Sequence, residues 1–511
     1  MNANGALANK YILLLIFSLN ADIFSVKDAL RTTRMSSQAC RSWRSILLDT
    51  PSLWAKLIDL DVLDQVTDNW RNEVLRRSAD CLLWIKGTKR IYNASLWVKG
   101  PDDVNRIQYD VSSLQRFFFS VLAAHWSRIE RVAVSIEAGC VDSQAWRCIY
   151  LPAPRLRDFE LEFHDMDTTL VAPIVPLFAN HAPLLTTFYA KHVKFDISAP
   201  WVPALRSITI GPPTTLSETL DLLETTPLLE TLRINEVPTE ITNRICSIHL
   251  PNLQEMTLSG PFGVCMTLVK SIVVCTQGLP LRLSIEATGS NPGELNPTVL
   301  HALSDFWTRY FGVHVPVTVG LEILSQSFCF SGNTSDESDF SFTFPTPSAF
   351  SQLLHAFTLS IFHTVSQLKL EIPKSPPARP ELIAFLLSLS SVKILHADDR
   401  VLQHLQELQK ETSQACLPML KTIKLKDVSS KPEDKILPFV QARKNAGIPI
   451  KTFDLTKYSS TLVVGVSLAF LDKMEGLKVV YFRLRVGQAR GQGPILIRYV
   501  CGSGNPNILR F

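Results

Sequence analysis

The chain has 511 residues, 46% of them hydrophobic and 19% charged, with a formal net charge of only +4. That length suggests about two to four domains with ample core, and the near-neutral balance argues against nucleic acid or an acidic membrane surface as partner. Ten cysteines without a C-x-x-C pair, and no histidine cluster at ligand spacing, argue against a metal site and point to reduced, buried thiols in a cytoplasmic and/or nuclear protein.

The chain opens on an apolar run, YILLLIFSL, directly after Lys10. A positive residue followed by apolar ones is also the order of a secretory leader. The nine residues of the run fall well short of the about 20 that a spanning helix needs. Leu19 and Asn20 ahead of Ala21 make a poor small-residue cleavage site, so no membrane association is expected.

Further on, Cys40, Trp43, Ile46 and Leu47 recur at i, i+3, i+6 and i+7, one face of a helix, with Arg41, Ser42, Arg44 and Ser45 opposite. Pro51 disfavours helical dihedrals at Thr50 and ends that helix. Thr50 then stands where it caps a second turn with Pro51 at its first position, carrying Leu53 and Trp54 back onto the first helix. Ile58, Leu60 and Val62 alternate with Asp59 and Asp61 and predict a half-buried strand.

The ordered run Cys40-Arg41-x-Trp43-Arg44, then Thr50-Pro51-Ser52-Leu53-Trp54, resembles the C-terminal half of the F-box of many fungal F-box proteins. F-boxes usually open with L-P-x-E-x-L-x-x-I-F. Here the frame is ANKYILLLIF, in which Leu13, Ile16 and Phe17 match, while Ala8, Asn9 and Tyr11 replace Leu, Pro and Glu. The resemblance implies a helical F-box over residues 1–62, with Cys40, Leu47, Pro51, Leu53 and Trp54 in its core. It also implies a partner, the Skp-type linker subunit of a cullin ubiquitin ligase, docked through Leu13, Ile16, Phe17 and Trp43. From Asn69, NWRNEVLRRSADCLLWIKG reads as a helix followed by a strand and is similar to the segment after the F-box in the same group. Residues 63–128 are therefore assigned to a linker and the start of the repeats.

A periodic pattern then takes over. L-x-x-L-x-L, with any apolar residue allowed, begins at Ile129, Leu156, Leu185, Leu205, Leu229 and Leu253, and again at Val365, Val392, Leu420, Ile450 and Leu477. The steps are 27, 29, 20, 24 and 24 residues, then 27, 28, 30 and 27. Leucine-rich repeats run about 20 to 29 residues. Several units share a proline lead-in: APRL, APLL, TPLL, LPNL and LPML. Each unit supplies a short strand with three inward apolar residues and cannot cover its own apolar face, so the units must stack. TTLSETLDLLETTP, from Thr214, predicts a returning helix with a Thr215–Glu218 capping box and Pro227 as its stop.

The fold expected is α/β: an N-terminal helical F-box, then an irregular leucine-rich-repeat-like α/β solenoid over 129–482 with an insertion around 286–350. Between Leu258 and Val365 the pattern blurs: LPLRLSI near Leu281 reads as a degenerate unit and VPVTVGLEIL from Val315 as a strand. The Phe- and Ser-rich stretch from Ser325 reads either as a surface loop with adhesive phenylalanines or as a β-hairpin with a polar tip. Residues 483–511 form a basic, Gly-containing tail, read as a basic arm or a frayed end.

No H-E-x-x-H, G-x-S-x-G, Walker A or EF-hand loop occurs, so no catalytic residue, metal or cofactor is assigned. His164 with Asp165 and Asp167 is the nearest approach to a cluster. The expected function is therefore that of a non-enzymatic adaptor, joining the Skp-type linker to an unknown protein substrate held by the repeats. The outward positions Lys421, Lys424, Lys451 and Lys478 are the candidate substrate contacts, suited to acidic or phosphorylated chemistry. The alternative is a repeat scaffold without ligase coupling.

Overall fold

The computed structural model describes residues 9–64, 69–91, 94–99, 105–110, 113–136, 145–163, 176–190, 193–238, 247–274, 281–288, 297–324, 326–334, 339–345, 350–373, 379–412, 414–426, 431–456, 467–483 and 495–510. The chain is mixed α/β and divides into two compact units, residues 1–253 with 271–275, and residues 254–270 with 276–511.

Unit 1 begins with helix α1 (Lys10–Asn20), capped by Asn9, whose side-chain oxygen accepts from the N–H groups of Tyr11 at 2.9 Å and Ile12 at 3.4 Å. Helices α2 (Ala29–Ala39), α3 (Arg41–Leu48) and α4 (Pro51–Trp54) follow. Trp54 is fully buried and its indole N–H donates to the Leu47 carbonyl at 2.7 Å. The Arg77 guanidinium covers its ring 4.5 Å from the centroid. The return of the turn onto the preceding helix is thus fixed by one satisfied indole rather than by apolar contact alone.

Two local expectations change. Thr50 does not cap α4; its hydroxyl donates backwards to the Ile46 carbonyl at 2.6 Å, closing the end of α3 instead. The strand from Ile58 ends at Asp59, because the N–H groups of Val62 and Leu63 turn back onto the Asp59 carbonyl.

Helix α5 (Asn69–Arg77) leads into a parallel sheet in which each strand pairs with the next in sequence. Its strands are β1 (Ile58–Asp59), β2 (Leu83–Ile91), β3 (Ile129–Ile136), β4 (Asp158–Phe163), β5 (Thr187–Ala190), β6 (Ser207–Ile210) and β7 (Thr231–Asn235). Helix α6 (Ser113–His125) connects β2 to β3 and α7 (Leu216–Glu224) connects β6 to β7. The capping box on α7 is present: the Thr215 N–H donates to Glu218 at 2.9 Å and the Glu218 N–H to Thr215 at 3.3 Å. The helical start is tied to this sheet by Lys86, which donates to the Ile23 carbonyl at 2.8 Å. Arg131 adds a second tie, lying over the Phe24 and Trp84 rings at 4.1 and 4.8 Å.

Unit 2 also holds mostly parallel strands. In spatial order its strands are β8 (Glu255–Pro261), β9 (Arg282–Thr288), β12 (Phe340–Phe344), β11 (Phe328–Asn333), β10 (Thr318–Ile323), β13 (Gln367–Glu371), β14 (Ile394–Ala397), β15 (Thr422–Leu425), β16 (Thr452–Asp454), β17 (Lys478–Arg483) and β18 (Ile495–Val500). Helices α8 (Phe262–Ser271), α9 (Pro297–Val313), α10 (Phe350–Ala356), α11 (Arg379–Ser388), α12 (Asp399–Glu411) and α13 (Glu433–Asn445) lie between its strands in sequence. The Phe-rich stretch is the hairpin β11–β12, and Phe328, Phe330, Phe340, Phe342 and Phe344 are all buried, so none is an adhesive surface contact. Trp307 of α9 stacks on Phe357 at 5.1 Å, and Phe357 on Phe330 at 4.2 Å. A Cβ at Gly332 would lie 3.1 Å from the Phe311 ring, so glycine there lets α9 approach the hairpin.

The described part of the tail is packed rather than frayed. Strand β18 runs antiparallel to β17, the Tyr499 hydroxyl donates to Asp472 at 2.7 Å, and the Tyr481 hydroxyl donates to the Ile508 carbonyl at 2.7 Å. The GQARGQG segment lies outside the described residues.

Candidate interaction surfaces

Every one of the eleven apolar hexamers coincides with a strand. In the last, LKVVYF, the strand buries Val479 and Tyr481 and leaves Val480 half-buried and Phe482 exposed, so two of the three apolar residues expected to point inward face outward instead. What remains for function is the side chains these elements leave outside. Three surfaces result, two in unit 1 and one in unit 2.

The first is the outer face of α1. Leu13 and Phe17, expected at a docking face, point inward and are 1% and 3% exposed; Phe17 packs edge-on to the half-buried Trp43 at 5.2 Å. Ile16 stays outside at 39%, and with it Tyr11, Leu15 and Leu19 at 83%, 63% and 66%. The spacing of 11, 15 and 19 puts the last three on one stripe. Met35 of α2 is also exposed. The run is apolar all round, so its periodicity does not say which residues turn inward.

Of the expected core, Leu47, Leu53 and Trp54 are buried and Pro51 is half-buried at the first position of α4. Cys40 is exposed. Its backbone is extended (φ −156°, ψ 166°), which takes it out of the helical period, and its sulfur accepts from the Trp43 N–H at 3.4 Å as the cap of α3.

The second surface is the outward face of β2 to β5, where a cavity of about 120 Å³ is lined by Thr88, Ala133, Ser135, Glu160, Glu162 and Tyr189. Burial raises the Glu160 carboxyl above its usual value; the Asp158 charge adds to this, and Arg131 and Arg233 oppose it. Arg131 forms an ion pair with Asp158 across the β3–β4 register. Burial, then the charge and hydrogen bond of Glu162, raise the Tyr189 phenol. Among the described residues no group of three or more His, Cys, Asp or Glu is placed to hold a metal ion. His164, Asp165 and Asp167 lie outside the described residues.

The third surface is the outward face of β13 to β18. Lys421, Lys451 and Lys478 are exposed and Lys424 is half-buried. The Lys451 N–H donates to the Lys421 carbonyl at 2.8 Å and the Lys478 N–H to the Lys451 carbonyl at 2.9 Å, so the strand ladder brings these lysines onto neighbouring strands. Sequence reasoning missed Lys393, whose carbonyl accepts the Lys421 N–H at 3.0 Å, and Lys369, which joins through the His396 register. The signal was there: Lys393 stands second in its hexamer, as Lys421 and Lys451 do in theirs.

No protein-family model matches the chain, and no curated protein matches it.

Proposed function

We propose that the chain is a non-enzymatic adaptor, with α1 to α4 docking the Skp-type linker of a cullin ubiquitin ligase and the outward sheet faces holding a protein substrate. The observation that carries this reading is the Tyr11–Leu15–Ile16–Leu19 stripe, an exposed apolar helix face beside the helix–turn that resembles an F-box. An amphipathic helix buries such anchors in a partner's groove, and a few of them carry most of the binding energy. The chain would act in the cytoplasm or nucleus. Among the described residues the cysteines are free, and no helix is long and apolar enough to cross a membrane.

The stacked parallel strands support the reading of the repeats as leucine-rich-repeat-like, with the antiparallel β10–β12 meander as their insertion. A second reading, a scaffold without ligase coupling, is favoured by α1 itself: Asn9 caps it, and Tyr11 stands 83% exposed where F-boxes carry Glu.

Co-expression with the Skp-type linker separates the two. The adaptor reading expects a complex that survives purification and is lost in Leu15→Arg with Leu19→Arg, while circular dichroism stays unchanged. A folded chain that captures no linker sustains the scaffold reading instead.

A further inference from the structure

We propose that the outward face of β13 to β18 binds an extended, acidic segment of a partner protein that also carries apolar side chains. The inference rests on the reading of the repeats as a protein-holding surface and is independent of linker docking.

Two rungs define the face. Lys393, Lys421 and Lys451 follow one another at the entry to β14, β15 and β16, linked by successive main-chain hydrogen bonds. Neighbouring strands lie about 4.8 Å apart, so these ammonium groups start from a row at that spacing. One step further in, Lys369, His396, Lys424, Asp454, Val480 and Arg498 occupy a single register across six strands. Among the described residues none of Lys369, Lys393, Lys421, Lys424, Lys451 and Lys478 has an ion-pair partner. Asp454, the one acid in that register, accepts from both the N–H and the hydroxyl of Thr456. A row of like charges on adjacent strands destabilises the free sheet. An anionic partner relieves that repulsion, and charge complementarity of this kind steers association and fixes register.

The same face turns apolar at its end. Phe482 pairs with Leu496 and Val480 with Arg498, while Val500 sits across from Lys478. Phe482, Leu496 and Val500 are 44%, 40% and 49% exposed, so apolar area is interleaved with Lys478 and Arg498. Only Phe482 offers a ring on which a base could stack, while Leu496 and Val500 offer none; an extended peptide presents carboxylates and apolar groups in alternation and suits all three. The face therefore favours an acidic polypeptide over nucleic acid.

The test is fluorescence anisotropy of the full chain with a labelled peptide that alternates Glu with Leu. Binding is expected, weakening as salt rises. Lys421→Glu with Lys451→Glu should weaken it roughly tenfold or more, and Lys421→Gln with Lys451→Gln by less. Lys410→Glu on α12 should leave it unchanged. No binding by the wild-type chain, equal binding by the charge-reversed variant, or tighter binding of an oligothymidylate of matched charge overturns the proposal. Linker capture, measured on the same preparations, reports on the adaptor reading alone, so either failure is recognised separately.

Discussion

The strands of the two units are built on one sequence pattern and present opposite chemistry. Outward positions of β4 in unit 1 give Asp158, Glu160 and Glu162, the last two lining a small cavity, with Arg131 of β3 spent on Asp158. Outward positions of β13 to β16 in unit 2 give Lys369, Lys421, Lys424 and Lys451, uncompensated by ion pairs among the described residues. The inward residues are interchangeable in kind: Val132, Phe159 and Phe188 in unit 1, Leu395, Ile423 and Phe453 in unit 2, all buried. The lesson is a division of labour within the hexamer. Its apolar positions specify the strand and its stacking, and its remaining positions are free to specify a partner.

The sharpest way to break that division is to exchange positions within one strand. Phe159→Ala should cost about 3–5 kcal/mol and Ile423→Ala about 2–5 kcal/mol in denaturant unfolding, since each leaves a cavity in a packed sheet. Lys424→Ala, one residue along from Ile423, should stay within about 0.5 kcal/mol. Equal costs at Ile423 and Lys424 would mean that the outward positions also hold the fold.

A smaller effect distinguishes the acidic face. The carboxyl of Glu160 is raised mainly by burial, so ionising it costs the folded state more than the unfolded one. That cost is absent below the unfolded value and complete above the folded one, so the contribution of this group falls as pH rises. Glu160→Gln should therefore raise the Tm modestly at about pH 8 and leave it unchanged at about pH 3.5. A lowered Tm at the higher pH would show that the carboxylate is held by favourable contacts instead.

Much of the fold was legible because the hexamer repeats at nearly constant steps, and each of its eleven occurrences lies on a strand. The Thr215–Glu218 capping box and the helix-then-strand after Asn69 were readable from local chemistry. The surfaces were less so. In YILLLIFSL an apolar residue stands at almost every position, so only packing against Trp43 decides that Phe17 turns in and Leu15 and Leu19 turn out. Cys40 has helical spacing but an extended backbone, which spacing does not reveal. The phenylalanines of β11 and β12 alternate with polar residues as any half-exposed hairpin would, and only α9 and α10, folding over them, make them core.

The central claim is that α1 offers its outer stripe to a linker subunit, and calorimetric titration of purified Skp-type linker into the full chain tests it most directly. The account predicts one saturable site, abolished by Leu15→Arg with Leu19→Arg and unchanged by Lys421→Glu with Lys451→Glu. Absence of heat with a folded wild-type chain, or full binding by the Leu15→Arg, Leu19→Arg variant, would contradict it.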